Sequence, residues 1–327
     1  MTHPAAPVSA RGPRPLSQCV VVVTPRSYGL SDPSLLRDLE SQVAEVRYRP
    51  GPLSSSDLAD ILEDADGLIA GLDEVNAEVF TRAPRLRVVA RYGVGVDRVD
   101  LQAAARHHVT VTVTPGANAN AVAELTIAYL LALSRPLLQS RDRVRAGEWP
   151  ALHGLELHGR VLGVIGLGRI GSMVAAKARG LGLKVLAHDP FVADSGLACL
   201  VALDLLVAES DFLSLHLPLA DETRGMVNRS LLARCKQGAA LINTARGELI
   251  DEAALVWALD VGLLRAAALD VLTKEPPPAD HPLLGRDDVI VTSHIGAHTA
   301  EATTAMGRTA LDELLAVLSG REPMYPA

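Results

Sequence analysis

The sequence predicts an α/β fold with parallel sheets, divided into two domains. Short strands rich in Val, Ile, Leu and Ala alternate with helix-compatible segments along almost the whole chain, and such alternation favours parallel sheets with helices on both faces. The segment 161–189 adds the order strand, glycine turn, helix, strand and acid. A length of 327 residues suits two domains, and 49% of hydrophobic residues is enough for two aliphatic cores.

The first part of the chain contains five predicted strands joined by helices. The predicted strands are 19–23, 44–48, 67–69, 88–92 and 110–113. The predicted helices are 33–42, 56–62, 76–81 and 101–107. Ser54, Ser55 and Ser56 are candidate N-caps, because a serine hydroxyl can accept a free N–H at the start of a helix.

The segment 114–118 is the first predicted linker, and the second part of the chain follows it. A long helical stretch runs from 121 to about 138, with Pro136 near its end. The predicted strands are then 161–165, 184–189, 211–216, 239–243, 266–270 and 289–292. The predicted helices are 172–179, 203–208, 229–236 and 252–260, and the last helix, 299–318, is long enough to return to the first domain.

Composition and charge exclude several functions. The formal net charge of −7 argues against nonspecific binding of nucleic acid or of an anionic membrane. No apolar run is long enough to span a membrane, since the most apolar helix, 122–133, is short and contains Glu124. Residues 1–16 are rich in Pro, Ala and Arg without the apolar core of a signal peptide, so we expect a disordered tail.

The three cysteines indicate a reducing compartment. Cys19, Cys199 and Cys235 are far apart and odd in number, so neither a disulfide framework nor a metal site is expected. We therefore expect a cytoplasmic protein.

The segment 161–189 predicts a dinucleotide site. In its G-x-G-x-x-G pattern, Gly166 permits a tight turn, Gly168 lets a pyrophosphate approach the backbone, and Gly171 lets the helix pack on the sheet. Asp189 lies 18 residues past Gly171, where a carboxylate can accept the 2′-OH of a ribose. No arginine follows in the next two positions, so NAD is favoured over NADP. The alternative is a glycine-rich turn without a ligand, which the surrounding strand, helix and acid disfavour.

Polar side chains stand at the carboxyl ends of the strands in the second part of the chain. Ligands of open α/β sheets bind at this edge. The side chains found there are those of Asp189, His216, Arg246, Asp270 with Glu275 just beyond it, and His294. Charged and imidazole groups at nearly every strand end indicate a functional site.

His294 is the candidate acid and base, because its imidazole can exchange protons near neutral pH. Glu275 is its candidate partner, and Arg246 can bind a substrate carboxylate through a forked contact. The loop 91–97 follows a strand, and its N–H groups at Val94 and Gly95 can form an anion nest. Each feature has a plainer alternative: a structural histidine, a solvated acid, an arginine that caps a turn, and a simple tight turn.

Together these motifs resemble a known family. The matching segments are 91–97 with Val99 and Asp100, 166–171, 188–190, 216–218 with Thr223, 243–247, 268–271 with Glu275 and Pro276, and 294–297. They are similar to those of the D-isomer-specific 2-hydroxyacid dehydrogenases, and most similar to the phosphoglycerate dehydrogenase-like branch. The resemblance covers almost the whole chain from about residue 20.

The resemblance implies a Rossmann-type NAD domain inserted into a flavodoxin-like substrate domain. The implied divisions are a tail at 1–16, a substrate domain at 17–117 plus 299–327, and an NAD-binding domain at 118–298. The helical stretch that begins the inserted domain is expected to support a homodimer.

The resemblance also implies roles for individual residues. His294 would be the acid/base, Glu275 its partner, and Arg246 the substrate-binding arginine. The substrate residues would be Val94, Gly95 and Arg246, and no metal is expected. The implied cofactor residues are Val94, Gly166, Gly168, Arg169, Ile170, Gly171, Asp189, His216, Leu217, Pro218, Thr223, Thr244, Ala245, Asp270, His294, Gly296 and Ala297. Within this set, Arg169 and Ile170 would meet the pyrophosphate and Asp270 the nicotinamide amide.

The expected activity is NAD-dependent interconversion of a small 2-oxo acid and its D-2-hydroxy acid, of the 3-phosphoglycerate or the hydroxypyruvate and glyoxylate type. The alternative is an NAD(H)-sensing, corepressor-like binding protein with little turnover, while formate oxidation has no independent support. Two departures from the family are visible. Ser293 stands where proline commonly precedes the histidine, and no regulatory domain follows residue 318, so serine feedback is not expected.

Overall fold

The structure, a computed structural model, describes residues 14–327. They form two compact units, one with the residues up to Asn118 and His298–Ala327, the other with Ala119–Ala297. Residues 1–13 of the predicted tail lie outside the described residues. Arg14, within the last part of that predicted tail, makes an ion pair of 3.3 Å with Asp66.

The first unit contains a five-stranded sheet in which all neighbouring strands are parallel. Its strands are β1 (Val20–Val23), β2 (Glu45–Tyr48), β3 (Gly67–Ala70), β4 (Val88–Arg91) and β5 (Thr110–Thr112). Their spatial order is β2-β1-β3-β4-β5. This is the flavodoxin-like order, which the family resemblance implies.

Helices pack on the sheet of the first unit. They are α1 (Ser34–Glu40), α2 (Ser55–Leu62), α3 (Ala77–Arg82), α4 (Leu101–Arg106) and the C-terminal helix (Ala300–Leu318), and a 3-10 turn, Leu16–Gln18, precedes β1. Polar side chains cap four of these helices at their first N–H groups, namely Ser54, Asn76, Asp100 and Thr299.

The core of the first unit is aliphatic. All four valines of β1 are buried, as a parallel strand covered on both faces requires. The C-terminal helix packs against β3, β4 and β5 and buries Leu311 and Leu314. The segment after this helix covers the edge strand β5 through an antiparallel bridge between Thr112 and Pro326.

The second unit contains a seven-stranded sheet that is also fully parallel. Its strands are β6 (Val161–Ile165), β7 (Lys184–His188), β8 (Cys199–Leu200), β9 (Phe212–Leu215), β10 (Ala239–Asn243), β11 (Leu264–Leu269) and β12 (Val289–Val291). Their order is β12-β11-β10-β9-β6-β7-β8. Counted from β6, the first six strands have the Rossmann order 3-2-1-4-5-6, which confirms the predicted fold class.

The topological switch point of this sheet lies between β6 and β9, where the strand order reverses. The unit's helices are α5 (Ala119–Ser134), α6 (Leu137–Arg145), α7 (Arg169–Gly180), α8 (Leu203–Glu209), α9 (Arg229–Leu232) and α10 (Glu252–Asp260), with a 3-10 turn at Gly247–Leu249. Helices α5 and α7 enclose one aliphatic core, while α8, α9 and α10 enclose another. In folds of this type, ligands bind at the carboxyl ends of the strands beside the switch point.

The structure corrects the predicted helix from 121 to about 138. The observed helix α5 ends at Ser134, and Pro136 is the N-cap of the next helix, α6. The two helices meet with a bend of 66°. Proline has no N–H to donate and is tolerated at a helix start, which explains the break. Within residues 14–327, no single helix has both the length and the apolarity to cross a membrane, and only the bent pair α5 and α6 passes that test jointly.

Candidate active site

The glycine turn after β6 is imposed partly by packing. Gly166 has a φ of +90°, and a Cβ there would lie 2.5 Å from the carbonyl oxygen of His216. A Cβ on Gly171 would lie 2.1 Å from the carbonyl oxygen of Gly166. Side chains at either position would collide with backbone, so these two glycines are required by the fold itself.

Gly168 differs, because a Cβ built there would meet no protein atom within 4 Å. It is the N-cap of α7 and offers no side-chain hydrogen bond to the helix start. The first N–H groups of a helix have no intrahelical acceptor and carry partial positive charge. Open space beside these N–H groups, which belong to Arg169 and Ile170, fits the pyrophosphate of a dinucleotide.

This contrast predicts different consequences for two alanine substitutions. We expect Gly171→Ala to lower the free energy of unfolding of the apo-protein by about 1–3 kcal/mol, because the new methyl group overpacks the turn. Gly168→Ala should change that free energy by less than about 0.5 kcal/mol and weaken NADH binding. Denaturant unfolding and NADH fluorescence titration measure both quantities. Equal destabilisation by the two substitutions would contradict a ligand-related role for Gly168.

Asp189 stands at the end of β7, next to the glycine turn. Its carboxylate accepts the N–H of Leu167 at 2.8 Å and the N–H of Phe191 at 2.9 Å. The two bonds fix the orientation of the carboxylate, and each oxygen retains a lone pair for a further donor. An oriented carboxylate at this position fits the hydroxyl groups of a ribose.

His216 follows β9 on the other side of the switch point. Burial lowers the pKa of His216 to about 3, so its imidazole is neutral at physiological pH. Its Nε2 lies 2.7 Å from Oγ of Ser214. The next turn, which begins with Leu217, is fixed by the hydroxyl of Thr223, which donates to the carbonyl of Pro218 at 2.8 Å. The neutral His216 therefore shapes this edge of the sheet and is no source of protons.

The loop after β10 carries Arg246. Asn243 is fully buried, and its side-chain amide donates to the carbonyl of Arg246 at 2.7 Å and accepts the N–H of Ala245 at 2.9 Å. The guanidinium of Arg246 donates to the carbonyl of Ala245 at 2.7 Å. The hydroxyls of Thr244 and Thr126 lie 3.0 Å apart and join the loop to α5. The loop is therefore held at three adjacent positions, which orients the arginine.

Asp270, at the end of β11, holds the turn that contains His294. Its carboxylate is 1% exposed and accepts the N–H groups of Ile295 at 2.8 Å and Gly296 at 2.7 Å, while Thr292 donates its hydroxyl to the same group. The backbone carbonyl of Asp270 accepts the N–H of His294 at 2.9 Å. The contact of Asp270 with the nicotinamide amide, which the family resemblance implies, stays a prediction.

His294 is paired with Glu275. Its Nδ1 lies 2.8 Å from Oε2 of Glu275, whose Oε1 accepts the N–H of Leu272 at 3.1 Å. An ionised carboxylate only accepts hydrogen bonds, so Nδ1 carries the hydrogen and Nε2 is the atom that can exchange a proton. No described residue makes a hydrogen bond to Nε2, and the side chain of His294 is 26% exposed.

The backbone of His294 adopts an uncommon conformation. Its φ is +57°, in the left-handed region that few residues other than glycine occupy. Such conformations cost about 1–3 kcal/mol and persist only where the surroundings impose them, often at functional sites. Here the hydrogen bonds from the turn to Asp270 impose it.

The predicted loop of the first unit, 91–97, encloses a buried guanidinium. Arg91 donates to the carbonyl of Gly95 at 2.9 Å, to that of Tyr92 at 3.0 Å and to that of Ala70 at 3.2 Å. Among the described residues, no acceptor takes the N–H groups of Val94 and Gly95. The carbonyls of the loop are directed towards Arg91, which leaves these N–H groups available to an anion.

The second unit thus brings most of the predicted site residues to one edge of its sheet, since the carboxyl ends of parallel strands meet there. Val94 and Gly95 belong to the first unit. Residues outside the predicted site also contribute to its geometry, among them Thr126, Ser214, Asn243 and Thr292. In residues 14–327, no group of three or more His, Cys, Asp or Glu side chains could hold a metal ion.

Comparison with known proteins places these residues in a family. Residues 127–296 match the family model described as D-isomer specific 2-hydroxyacid dehydrogenase, NAD binding domain. That match contains the glycine turn, Asp189, Arg246, Glu275 and His294.

Similar proteins extend the match to most of the chain. The D-3-phosphoglycerate dehydrogenase of Methanocaldococcus jannaschii is 41% identical over 287 residues, which cover 85% of this chain and 54% of that protein. The glyoxylate reductase of Korarchaeum cryptofilum is 38% identical over 284 residues, which cover 83% of this chain and 85% of that protein. The crystal structure of the TT0316 protein from Thermus thermophilus is similar with a TM-score of 0.86 and 41% identity, covering 94% of this chain and 99% of that one. The chain spans about half the length of the D-3-phosphoglycerate dehydrogenases it matches.

Proposed function

Because the chain belongs to the D-isomer specific 2-hydroxyacid dehydrogenase family, we propose that it is an NAD-dependent enzyme that interconverts a small 2-oxo acid and its D-2-hydroxy acid. The pair of His294 and Glu275, 2.8 Å apart, carries this proposal. The pair follows strands of the same parallel sheet as the glycine turn, so that a proton-exchanging imidazole and a dinucleotide-type turn occupy one edge. A binding protein has no need of an oriented acid and base.

In the proposed reaction, NAD supplies or accepts the hydride when bound. The chain's own residues handle the proton and the substrate. In reduction, Nε2 of protonated His294 gives its proton to the carbonyl oxygen of the 2-oxo acid, and in oxidation neutral Nε2 takes the proton from the hydroxyl. Glu275 keeps Nδ1 protonated, so the exchange is confined to Nε2. We assign the substrate carboxylate to Arg246 of the second unit, while the N–H groups of Val94 and Gly95 in the first unit stay a predicted anion nest.

A substrate panel tests the proposed activity. We expect NADH oxidation with at least one of glyoxylate, hydroxypyruvate and 3-phosphohydroxypyruvate, because similar proteins are named as a glyoxylate reductase and as D-3-phosphoglycerate dehydrogenases. Steady-state absorbance of NADH measures the rates. Tight NADH binding without turnover of any acid in the panel would favour the alternative, an NAD(H)-sensing protein.

The choice of NAD over NADP is proposed to depend on Asp189. We expect Asp189→Asn to narrow the ratio of kcat/KM for NADH to that for NADPH by about tenfold, because it removes a charged acceptor for the ribose and the repulsion of a 2′-phosphate. Asparagine keeps one oxygen for the N–H of Leu167 or of Phe191, while the other N–H loses its acceptor. A parent protein that already prefers NADPH would contradict the assignment.

We further propose that the protein is a homodimer formed through α5, α6 and the segment after α6. This part of the chain exposes an unusual number of large apolar side chains, which mark interaction surfaces. They are Leu131, Leu137, Val144, Trp149 and Leu152, of which Trp149 is 90% and Leu137 65% exposed. Sedimentation equilibrium should give twice the chain mass, and Leu137→Asp should reduce it to one chain. A wild-type protein of one chain mass would contradict the dimer.

A cytoplasmic location is also proposed. Cys19, Cys199 and Cys235 are all free thiols, as a reducing compartment would keep them. Cell fractionation tests the location, and recovery of the protein outside the cytoplasmic fraction would contradict it.

A further inference from the structure

Three hydrogen-bonded polar groups lie in a line next to the turn that contains His294: the buried Tyr129 and Asp270, and the half-buried Thr292 between them. The hydroxyl of Tyr129, on α5, makes a hydrogen bond with the hydroxyl of Thr292, and Thr292 makes another with the carboxylate of Asp270. We propose that Tyr129 is a positioning residue: acting through Thr292, its hydroxyl fixes Asp270 and thereby the turn that presents His294. This inference rests on the proposed function, because it gives His294 the part of acid and base.

The direction of the hydrogen bonds follows from their chemistry. The carboxylate of Asp270 only accepts, so the single hydrogen of the Thr292 hydroxyl points to it. The oxygen of Thr292 must then accept from Tyr129, which is the remaining donor in the line. Burial raises the pKa of Tyr129 above its usual value, so this donor stays protonated throughout the pH range of ordinary assays.

The line ends at Asp270, which makes several hydrogen bonds to the turn that contains His294. The carboxylate of Asp270 accepts the N–H groups of Ile295 and Gly296, and its backbone carbonyl accepts the N–H of His294. Because His294 has a φ of +57°, the turn needs these bonds to keep its conformation. A carboxylate free to rotate about its side-chain bonds would hold the turn less firmly, and the imidazole would move with the backbone.

The positioning role belongs to the hydroxyl of Tyr129, because the ring serves only to fill the core. Tyr129 is 4% exposed and packs in the aliphatic core between α5 and the sheet, with Leu130 and Ala123 as neighbours in that core. A phenylalanine would satisfy the packing equally well. The buried oxygen carries a desolvation cost, which its bond to Thr292 offsets.

Two substitutions remove one hydroxyl each with little change of shape. We expect Tyr129→Phe and Thr292→Val each to lower kcat about three- to tenfold, with the KM for NADH nearly unchanged, because each loses one hydrogen bond of the line. If the line acts as a unit, the double variant should lose little more than either single variant. Thr292→Ser keeps the hydroxyl and should restore most of the activity.

A matched control separates this effect from the loss of any tyrosine hydroxyl. Tyr48, in the first unit, donates to the carbonyl of Arg26 at 2.9 Å. Tyr48→Phe removes one hydrogen bond of a tyrosine hydroxyl and should leave kcat nearly unchanged. An equal loss of kcat in Tyr48→Phe would overturn the proposal.

A measurement that needs no enzymatic turnover tests the positioning role independently of the proposed function. Proton NMR of the apo-protein should show the Nδ1 hydrogen of His294, bonded to Glu275, as a slowly exchanging downfield signal. Tyr129→Phe should broaden or shift this signal, whereas Tyr48→Phe should not. If the wild type reduces no 2-oxo acid, the proposed function fails while the signal still tests the positioning. A lower melting temperature in Tyr129→Phe with an unchanged signal and unchanged kcat would overturn the inference, since it would reduce Tyr129 to a packing role.

Discussion

Replacing His294 with asparagine is expected to lower kcat for 2-oxo acid reduction by about 10²–10⁴-fold, the usual contribution of a positioned acid or base. Asparagine is among the residues that tolerate a positive φ, so the turn should keep the backbone angle of +57° that His294 adopts. The amide cannot supply the proton that the imidazole supplies. NADH binding, which we assign to the glycine turn and Asp189, should be nearly unchanged. Stopped-flow reduction and NADH fluorescence titration measure the two quantities.

His216 is the natural control for this experiment. Because burial lowers the pKa of His216 to about 3, it stays neutral at assay pH and cannot replace His294 as a proton donor. His216→Asn should therefore leave the pH profile of reduction unchanged in shape, even if it weakens the cofactor. Loss of catalysis and NADH binding together in His294→Asn would indicate a structural role instead.

The elements of the second unit could be predicted because its signals are local. A strand, the pattern of Gly166, Gly168 and Gly171, a helix and the acid Asp189 follow one another in one short segment, and that order predicts a dinucleotide turn. The sequence also predicts Glu275 as the partner of His294, since parallel strands bring their carboxyl ends to one edge. The structure has Nδ1 of His294 2.8 Å from Oε2 of Glu275, and the catalytic roles of the two residues stay predictions.

The supporting contacts could not be predicted, because they join residues that are far apart in the chain. Tyr129 and Thr292 are separated by 163 positions, and nothing in the apolar pattern of α5 distinguishes a tyrosine with a partner from one that only fills space. The sequence shows Asn243 as an amide at the end of an apolar strand, but it does not show which groups this amide binds. The sequence predicts Pro136 near the end of one helix, whereas it is the N-cap of the next helix, α6. The two cases are hard to separate by sequence, because proline is compatible with the residues after one helix and with the start of another.

Ser293 stands where the family commonly has proline, and the contacts of the turn explain how it keeps its conformation without that proline. Proline at this position would restrict the backbone before His294. Here the position is exposed, and the backbone is held from the other side by Asp270, through Ile295 and Gly296. A Cβ on Gly296 would lie 2.9 Å from the carboxylate of Asp270, so the absence of a side chain at this position lets the carboxylate approach the turn.

Replacing Arg246 with lysine is expected to raise the KM for the 2-oxo acid about tenfold or more, while the KM for NADH changes little. Lysine keeps the positive charge but loses the planar fork that can bind both oxygens of a carboxylate. Arg246→Ala should cost more, about 10²-fold in kcat/KM, since it removes the charge as well. The side chain of Asn243 bonds to the backbone carbonyl of Arg246 and to the backbone N–H of Ala245. Neither bond uses the side chain of Arg246, so the loop should persist in both variants.

An ester substrate turns this prediction into a test of the contact itself. The methyl ester of glyoxylate lacks the ionised carboxylate, so the wild type should use it poorly and Arg246→Ala should lower its kcat/KM very little further. The difference between acid and ester isolates the interaction of the guanidinium with the carboxylate, as a double-mutant cycle does. Arg234→Ala is the control, because Arg234 makes an exposed ion pair with Asp204 in the same unit and such pairs contribute little. An equal loss with acid and ester would mean that Arg246 supports the fold of the loop rather than the substrate.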